Sequence, residues 1–198
     1  QLKKIHFNMS SEKINNNFQN KLKKFFKENI KKLLILIGVI IVILFSFLIY
    51  KNLQEKNNLA ISEKYTRASI SFQQEKKDEA KVLLENIIIS KHKFYSPLAL
   101  YFIIDNKLEE NSSTIISYFD EIIKINSIEK ENLNLIKLKK AIYLFNLDDE
   151  GKIIETLNPI INSNSVWKET AINLISDYFK SKNQQVKADE YINLLNSR

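Results

Sequence analysis

The sequence predicts an all-α protein in which one N-terminal transmembrane helix is followed by about four helical hairpins. Three observations support this prediction. Residues 33–50 read LLILIGVIIVILFSFLIY and contain no charged side chain, although 27% of the chain is charged. Beyond this run, apolar residues recur with a helical period, as in NLIKLKKAIYLFNL. Strand-and-turn folds need frequent glycine and proline, and the chain has only two of each.

Residues 33–50 have the length and composition of a membrane-spanning helix. Eighteen residues rise about 27 Å at ~1.5 Å each, close to the ~30 Å hydrocarbon core of a bilayer. A core helix in a soluble domain of this size normally keeps a polar stripe, which this run lacks. A cleaved signal peptide has a short basic leader and a small-residue cleavage site, whereas 32 residues precede this run and KNLQEKNN follows it. We therefore expect a single-pass anchor that contacts the membrane through Leu33–Tyr50.

Basic residues before the apolar run predict its orientation. Residues 1–32 contain nine lysines and two glutamates, and the rest of the chain has 21 basic and 21 acidic residues. Lysine-rich flanks stay in the cytoplasm. This predicts a basic cytoplasmic segment at 1–32, a transmembrane helix at 33–51 and a translocated helical domain at 52–198. Because the whole net charge of +7 lies beside lipid headgroups, we expect no nucleic-acid partner.

The domain at 52–198 contains a fourfold internal repeat. Each unit has a small or apolar residue followed by further such residues 12, 16 and 19 positions later, and the units begin 35, 38 and 35 residues apart. The four sets are Ala68, Ala80, Leu84 and Ile87; Ile103, Ile115, Phe119 and Ile122; Ala141, Ile153, Leu157 and Ile160; and Ser176, Ala188, Ile192 and Leu195. The last three residues of a set lie on one face of a helix, so the pattern predicts a hairpin repeated four times.

Polar segments mark the predicted turns within these hairpins. They lie at residues 74–78, 106–113, 146–151 and 181–185. Pro97 is expected in the first turn of a helix, where proline is tolerated, and Pro159 is expected to shorten a last turn. Acidic residues 148–150 are predicted to favour the N-terminus of the next helix rather than to bind Ca²⁺ or catalyse a reaction.

The spacing of small and large apolar residues resembles the tetratricopeptide repeat. The unit SVWKETAINLISDYFKSKNQQVKADEYINLL fits best, whereas the first unit has Lys64 and Arg67 where the family prefers large apolar residues. The resemblance implies a right-handed array of about four tetratricopeptide-like hairpins whose first helices line the concave side. The repeat alone indicates no particular ligand.

The layout of residues 20–198 resembles a narrower group, the YfgM-like ancillary subunits of the bacterial SecYEG translocon. The similarity lies in the membrane segment FFKENIKKLLILIGVIIVI and in the repeat segments, including FYSPLALYFI and NLIKLKKAIYLFNL. The resemblance implies a bacterial inner-membrane protein with a periplasmic domain that helps pass secreted proteins from the Sec translocon to periplasmic chaperones. Its expected partners are the translocon, periplasmic chaperones or secreted clients. The alternative is a structural adaptor or scaffold of another cell-envelope complex, such as a division or secretion assembly.

No set of residues in the sequence points to catalysis, a cofactor or a metal. His6 and His92 have no Cys, His or acidic cluster at ligand spacing. No serine–histidine–acid set is visible, and Gly38 and Gly151 cannot form a glycine-rich phosphate loop. We expect no enzyme activity, no cofactor and no small-molecule substrate.

Four tyrosines are the candidate binding residues. Tyr65, Tyr101, Tyr143 and Tyr178 place one tyrosine on each predicted first helix. They are predicted either to form a protein-binding groove or to pack between neighbouring helices, and packing is the simpler interpretation. Trp167 is expected to anchor the last hairpin to the third.

Overall fold

The computed structural model describes the backbone of residues 2–196 and the side chains of residues 21, 23–25 and 27–195. Every regular element in this part of the chain is an α-helix, which confirms the predicted all-α class. The helices belong to two compact units, Gln1–Asn57 and Asn58–Arg198.

The first helix, α1 (Leu2–Gln73), continues through the apolar run and into the second unit. Its stretch Lys27–Gln73 contains an 18-residue window of mean hydropathy 3.2, none of which is buried. By length and composition, it is the one helix among the described residues that could cross a membrane. All side chains from 34 to 50 are exposed. So continuous an apolar surface is unfavourable in water and favourable in lipid hydrocarbon.

The second unit contains the end of α1 and seven further described helices, and from α2 onward each packs against the next. Their bounds are α2 (Lys77–Ile89), α3 (Tyr95–Asp105), α4 (Ser112–Ile123), α5 (Lys130–Asn146), α6 (Glu150–Ile161), α7 (Lys168–Ser181) and α8 (Gln185–Asn196). The chain reverses at 74–76, 106–111, 147–149 and 182–184, within the four predicted turn segments.

Helices α1, α3, α5 and α7 end in the same kind of turn. Two residues after each helix, the backbone takes a positive φ of 50° to 63°, at Glu75, Lys107, Asp148 and Asn183. The next backbone N–H donates to the carbonyl five residues earlier, at 2.9 to 3.4 Å. This is the Schellman motif, whose left-handed position is usually a glycine. Here four non-glycine residues occupy it.

Side-chain caps and prolines define other helix ends. Asn111 Oδ1 accepts hydrogen bonds from the N–H groups of Ser113 and Thr114 at the start of α4. Asp149 Oδ1 accepts from Lys152 N–H at 3.1 Å, so the acidic segment 148–150 does lie at the N-terminus of α6. Pro97 is in the first turn of α3, as predicted. α6 ends at Ile161, two residues after Pro159.

Two apolar cores stabilise the second unit. The first extends from Ile61 on α1 to Ile136 on α5, and the second from Leu138 on α5 to Ala188 on α8. All sixteen repeat positions except Ile192 and Leu195 are buried. α5 therefore contributes to both cores, with Ile136 in one and Leu138 in the other.

Trp167 connects α7 to α5. Its indole N–H donates to the carbonyl oxygen of Glu131 at 3.0 Å. The Glu131 carboxylate in turn accepts from the Ser165 hydroxyl at 2.6 Å and from Val166 N–H at 3.3 Å. This network anchors the start of the last helix pair to the preceding one, which confirms the expected role of Trp167.

Candidate protein-binding cleft

A cleft of about 170 Å³ opens between α3 and α5 in the second unit. We call it the α3–α5 cleft. Its lining consists of Tyr101, Ile104 and Asp105 from α3, Phe119 from α4, and Lys139, Ile142, Tyr143 and Asn146 from α5. The four α5 residues are spaced at i, i+3, i+4 and i+7, which places them on one face of the helix. The lining is mainly aromatic and aliphatic, with one lysine and one aspartate.

Tyr101 is a half-buried part of this lining. Lys139 Nζ lies 4.5 Å from the centre of its ring, a cation–π distance. Burial raises the pKa of Tyr101 to about 12, so the phenol stays protonated at neutral pH. Within the described part of the chain, no side chain or backbone group hydrogen-bonds to its hydroxyl. The hydroxyl can therefore donate to a bound partner.

Tyr143 lies in the same cleft and is fixed by the fold. Its hydroxyl donates to Ser112 Oγ at 3.2 Å, and its ring centre lies 6.2 Å from that of Phe119. The first contact joins α5 to the start of α4. Tyr143 thus lines the cleft and packs two helices together.

Tyr178 packs in the second core and does not line the cleft. It is 2% exposed, and its hydroxyl donates to Asp148 Oδ1 at 2.8 Å. Burial, followed by this hydrogen bond, raises the pKa of Tyr178 to about 12. Asp148 also pairs with Lys182 at 2.6 Å, and the hydrogen bonds from Lys182 and Tyr178 hold the pKa of the Asp148 carboxyl below its usual value.

Tyr65 also lies outside the cleft. Its ring centre is 6.1 Å from that of Phe102, edge to face, and 5.8 Å from that of Tyr95. These contacts pack α1 against α3. Of the four candidate tyrosines, the structure thus brings only Tyr101 and Tyr143 into one site.

Sequence reasoning missed two prominent residues of the cleft. Ile142 is 51% exposed and offers its aliphatic side chain to the cleft. Lys139 reaches from α5 to Tyr101 on α3. The i, i+3, i+4, i+7 spacing on α5 could have indicated that Lys139 and Ile142 share a face of the helix with Tyr143. Spacing alone does not show that this face lies opposite α3.

The described side chains include no group of three or more His, Cys, Asp or Glu residues that could hold a metal ion. His92 has a structural position instead. Its Nδ1 accepts hydrogen bonds from the N–H groups of Phe94 and Tyr95 at 3.2 and 3.1 Å, and its Nε2 lies 3.0 Å from Asn58 Oδ1. The imidazole therefore caps the start of α3 and connects it to α1.

Comparisons of this chain with protein-family models, with curated proteins and with solved structures found no match.

Proposed function

We propose that this chain is a non-enzymatic, single-pass inner-membrane protein whose periplasmic domain binds other proteins. In this proposal the domain is a right-handed array of about four tetratricopeptide-like hairpins and an accessory of the Sec translocon that helps pass secreted proteins to chaperones. The α3–α5 cleft is the observation that carries the binding role. Its position in a helical unit that follows a potential membrane helix supports the tethered arrangement.

Hydrogen bonds between successive helix pairs support the repeated-hairpin arrangement. Four tyrosine hydroxyls donate to side chains 30 to 33 positions earlier: Tyr95 to Ser62, Tyr118 to Glu85, Tyr143 to Ser112 and Tyr178 to Asp148. Contacts of α2 with α4 and of α5 with α7 connect alternate helices. Each is the kind of contact expected when similar two-helix units stack on one another.

The size and chemistry of the α3–α5 cleft suit a partner's apolar side chain. A cavity of about 150 Å³ accommodates benzene, so a cleft of about 170 Å³ has room for one aromatic or branched aliphatic side chain. Ile142 offers apolar surface, and the Tyr101 hydroxyl offers a hydrogen-bond donor. A buried anchor residue of this kind typically contributes about 2 kcal/mol or more at an interface.

Site-specific photo-crosslinking in intact membranes tests this proposal. A photoreactive amino acid at Ile142 should capture translocon subunits, periplasmic chaperones or secreted proteins. The matched control is Val82 on α2, which is 54% exposed, against 51% for Ile142, and lies outside the cleft. We expect partners to be captured at position 142 in clear excess over position 82.

Equal capture at both positions, or none at either, would contradict a binding role for the cleft. Capture only by a probe within the apolar run, for example at Val42, would favour the scaffold hypothesis, because the helical unit would then act as a spacer. Ile142→Asp separates binding from folding, since an exposed aspartate leaves both cores intact. It should lose partners while it keeps its melting temperature.

A further inference from the structure

The segment of α1 before the apolar run carries a stripe of three lysines without acidic partners. Lys23, Lys27 and Lys31 are four residues apart, so they follow one another along the same side of the helix. All three are exposed, and none forms an ion pair with a side chain that the structure describes. Like charges at this spacing repel each other. An anion from outside the chain would relieve this repulsion.

Two other lysines near the apolar run have acidic partners. Lys24 pairs with Glu28 at 3.9 Å, and Glu28 is the one acidic residue between 21 and 32. At the other end of the run, Lys51 pairs with Glu55, also at 3.9 Å. Among the described lysines before the run, Lys21 and Lys32 also form no ion pair with a described side chain, and the stripe is the unpaired set that follows one side of the helix.

The stripe lies at the height of lipid headgroups when the apolar run fills the bilayer core. At a rise of ~1.5 Å per residue, Lys31 lies about 3 Å before Leu33, Lys27 about 9 Å and Lys23 about 15 Å. The headgroup layer of each leaflet is roughly 5–7 Å thick, so Lys31 lies within it and Lys27 about 2–4 Å beyond it, within the reach of a flexible side chain. Lys31 and Lys27 can thus reach the headgroups, and Lys23 lies beyond them by about one Debye length of ~8 Å.

We propose that Lys23, Lys27 and Lys31 form a binding stripe for anionic lipid headgroups, with a contribution that decreases from Lys31 to Lys23. A phosphatidylglycerol headgroup places a net negative charge in the layer that the stripe reaches, whereas a phosphatidylcholine headgroup places none. Each lysine near an anionic surface contributes about fivefold to the affinity. The stripe is independent of the α3–α5 cleft, which belongs to the other unit.

Native mass spectrometry of the full chain, released from nanodiscs of equal phosphatidylglycerol and phosphatidylcholine, measures which lipid remains bound. Both faces of such a disc have the same lipids, so the orientation of the chain does not affect the result. We expect the wild type to retain phosphatidylglycerol in excess. Lys31→Gln and Lys27→Gln should each lower the ratio of the two lipids by up to about fivefold, and Lys23→Gln should lower it less.

Two further variants make the test specific. Lys51→Gln removes a lysine that directly follows the apolar run but has an acidic partner, and it should change the ratio little. Replacing all three stripe lysines by arginine keeps the charge and should keep the preference. The proposal is wrong if Lys51→Gln lowers the ratio as much as Lys31→Gln does. It is also wrong if replacing all three lysines by glutamine leaves the ratio unchanged while circular dichroism shows unchanged helix content.

Discussion

Lys107→Gly should stabilise the helical unit, although it removes a side chain. Lys107 has a φ of 50°, and a left-handed conformation costs an L-residue about 1–2 kcal/mol. Glycine removes this strain but loses more backbone entropy on folding, about 0.5–1 kcal/mol. The Lys107 side chain is exposed and forms no ion pair with a described residue, so little else is lost. We expect a net gain of about 0.5–1 kcal/mol.

Thermal unfolding of a fragment of residues 58–198 measures this gain. The fragment contains both apolar cores, and its only tryptophan, Trp167, reports their unfolding by fluorescence. For a chain of this length the melting temperature should rise by about 2–4 °C. Asn183→Gly should gain less, because asparagine tolerates the left-handed region better than lysine does.

Asp148→Gly tests the same left-handed backbone position at a residue whose side chain has partners. It relieves a φ of 60° but loses the hydrogen bond from Tyr178 and the ion pair with Lys182. The loss should offset the gain or exceed it. If Lys107→Gly lowers the melting temperature, or if Asp148→Gly raises it as much as Lys107→Gly does, the account of these turns is wrong.

Two further predictions concern the same fragment. Burial, followed by the charge of Lys93, holds the pKa of His92 below its ordinary value of 6.5, so the unfolded chain binds the proton more readily. The contribution of His92 to the free energy of unfolding should be fully present above pH 6.5 and should be lost as the pH falls through the lower pKa of the folded state. The variant His92→Asn should keep a cap for α3 and should not show this pH-dependent loss of stability. Thermal unfolding between about pH 7 and 5 measures it, and an equal loss in the variant would contradict it. Ala188→Asp should unfold the α7–α8 pair, because Ala188 is 0% exposed and a carboxylate there has no partner. Val186→Asp, at a site that is 75% exposed, should leave the circular dichroism unchanged, and a similar loss in both variants would refute the packing argument.

The helix positions were predictable because the apolar period and the polar breaks agree. Ala80, Leu84 and Ile87 were assigned from spacing alone, and all three are 0% exposed. Ile192 and Leu195 occupy equivalent positions yet are only half-buried. Among the described helices, α7 is the one that packs substantially against α8, so these residues lack the second neighbour that buries their counterparts.

Other features could not be predicted from periodicity. The apolar run is part of a helix that continues to Gln73, because no proline or glycine interrupts residues 39–73. The Schellman turns lack glycine, the residue by which such turns are usually recognised. The cleft depends on a contact between Lys139 and Tyr101, which belong to different helix pairs. Such a contact is determined by how the pairs pack.

The register of the tyrosines explains why they have different roles. Tyr143 and Tyr178 each lie two residues after the first position of their repeat, at Ala141 and Ser176, and both donate a hydrogen bond to the start or end of a neighbouring helix. Tyr101 instead lies two residues before its repeat position at Ile103, which is about one helical turn before the position equivalent to Tyr143 and on the same side of the helix, and makes no such bond to a described residue. Tyr143 and Tyr178 therefore share a packing role, which Tyr143 combines with lining the cleft, whereas Tyr101 lines the cleft without such a hydrogen bond. We therefore expect substitutions at Tyr143 and Tyr178 to report mainly on stability, whereas Ile142, which is 51% exposed, is the position at which the proposed binding can be tested with both cores intact.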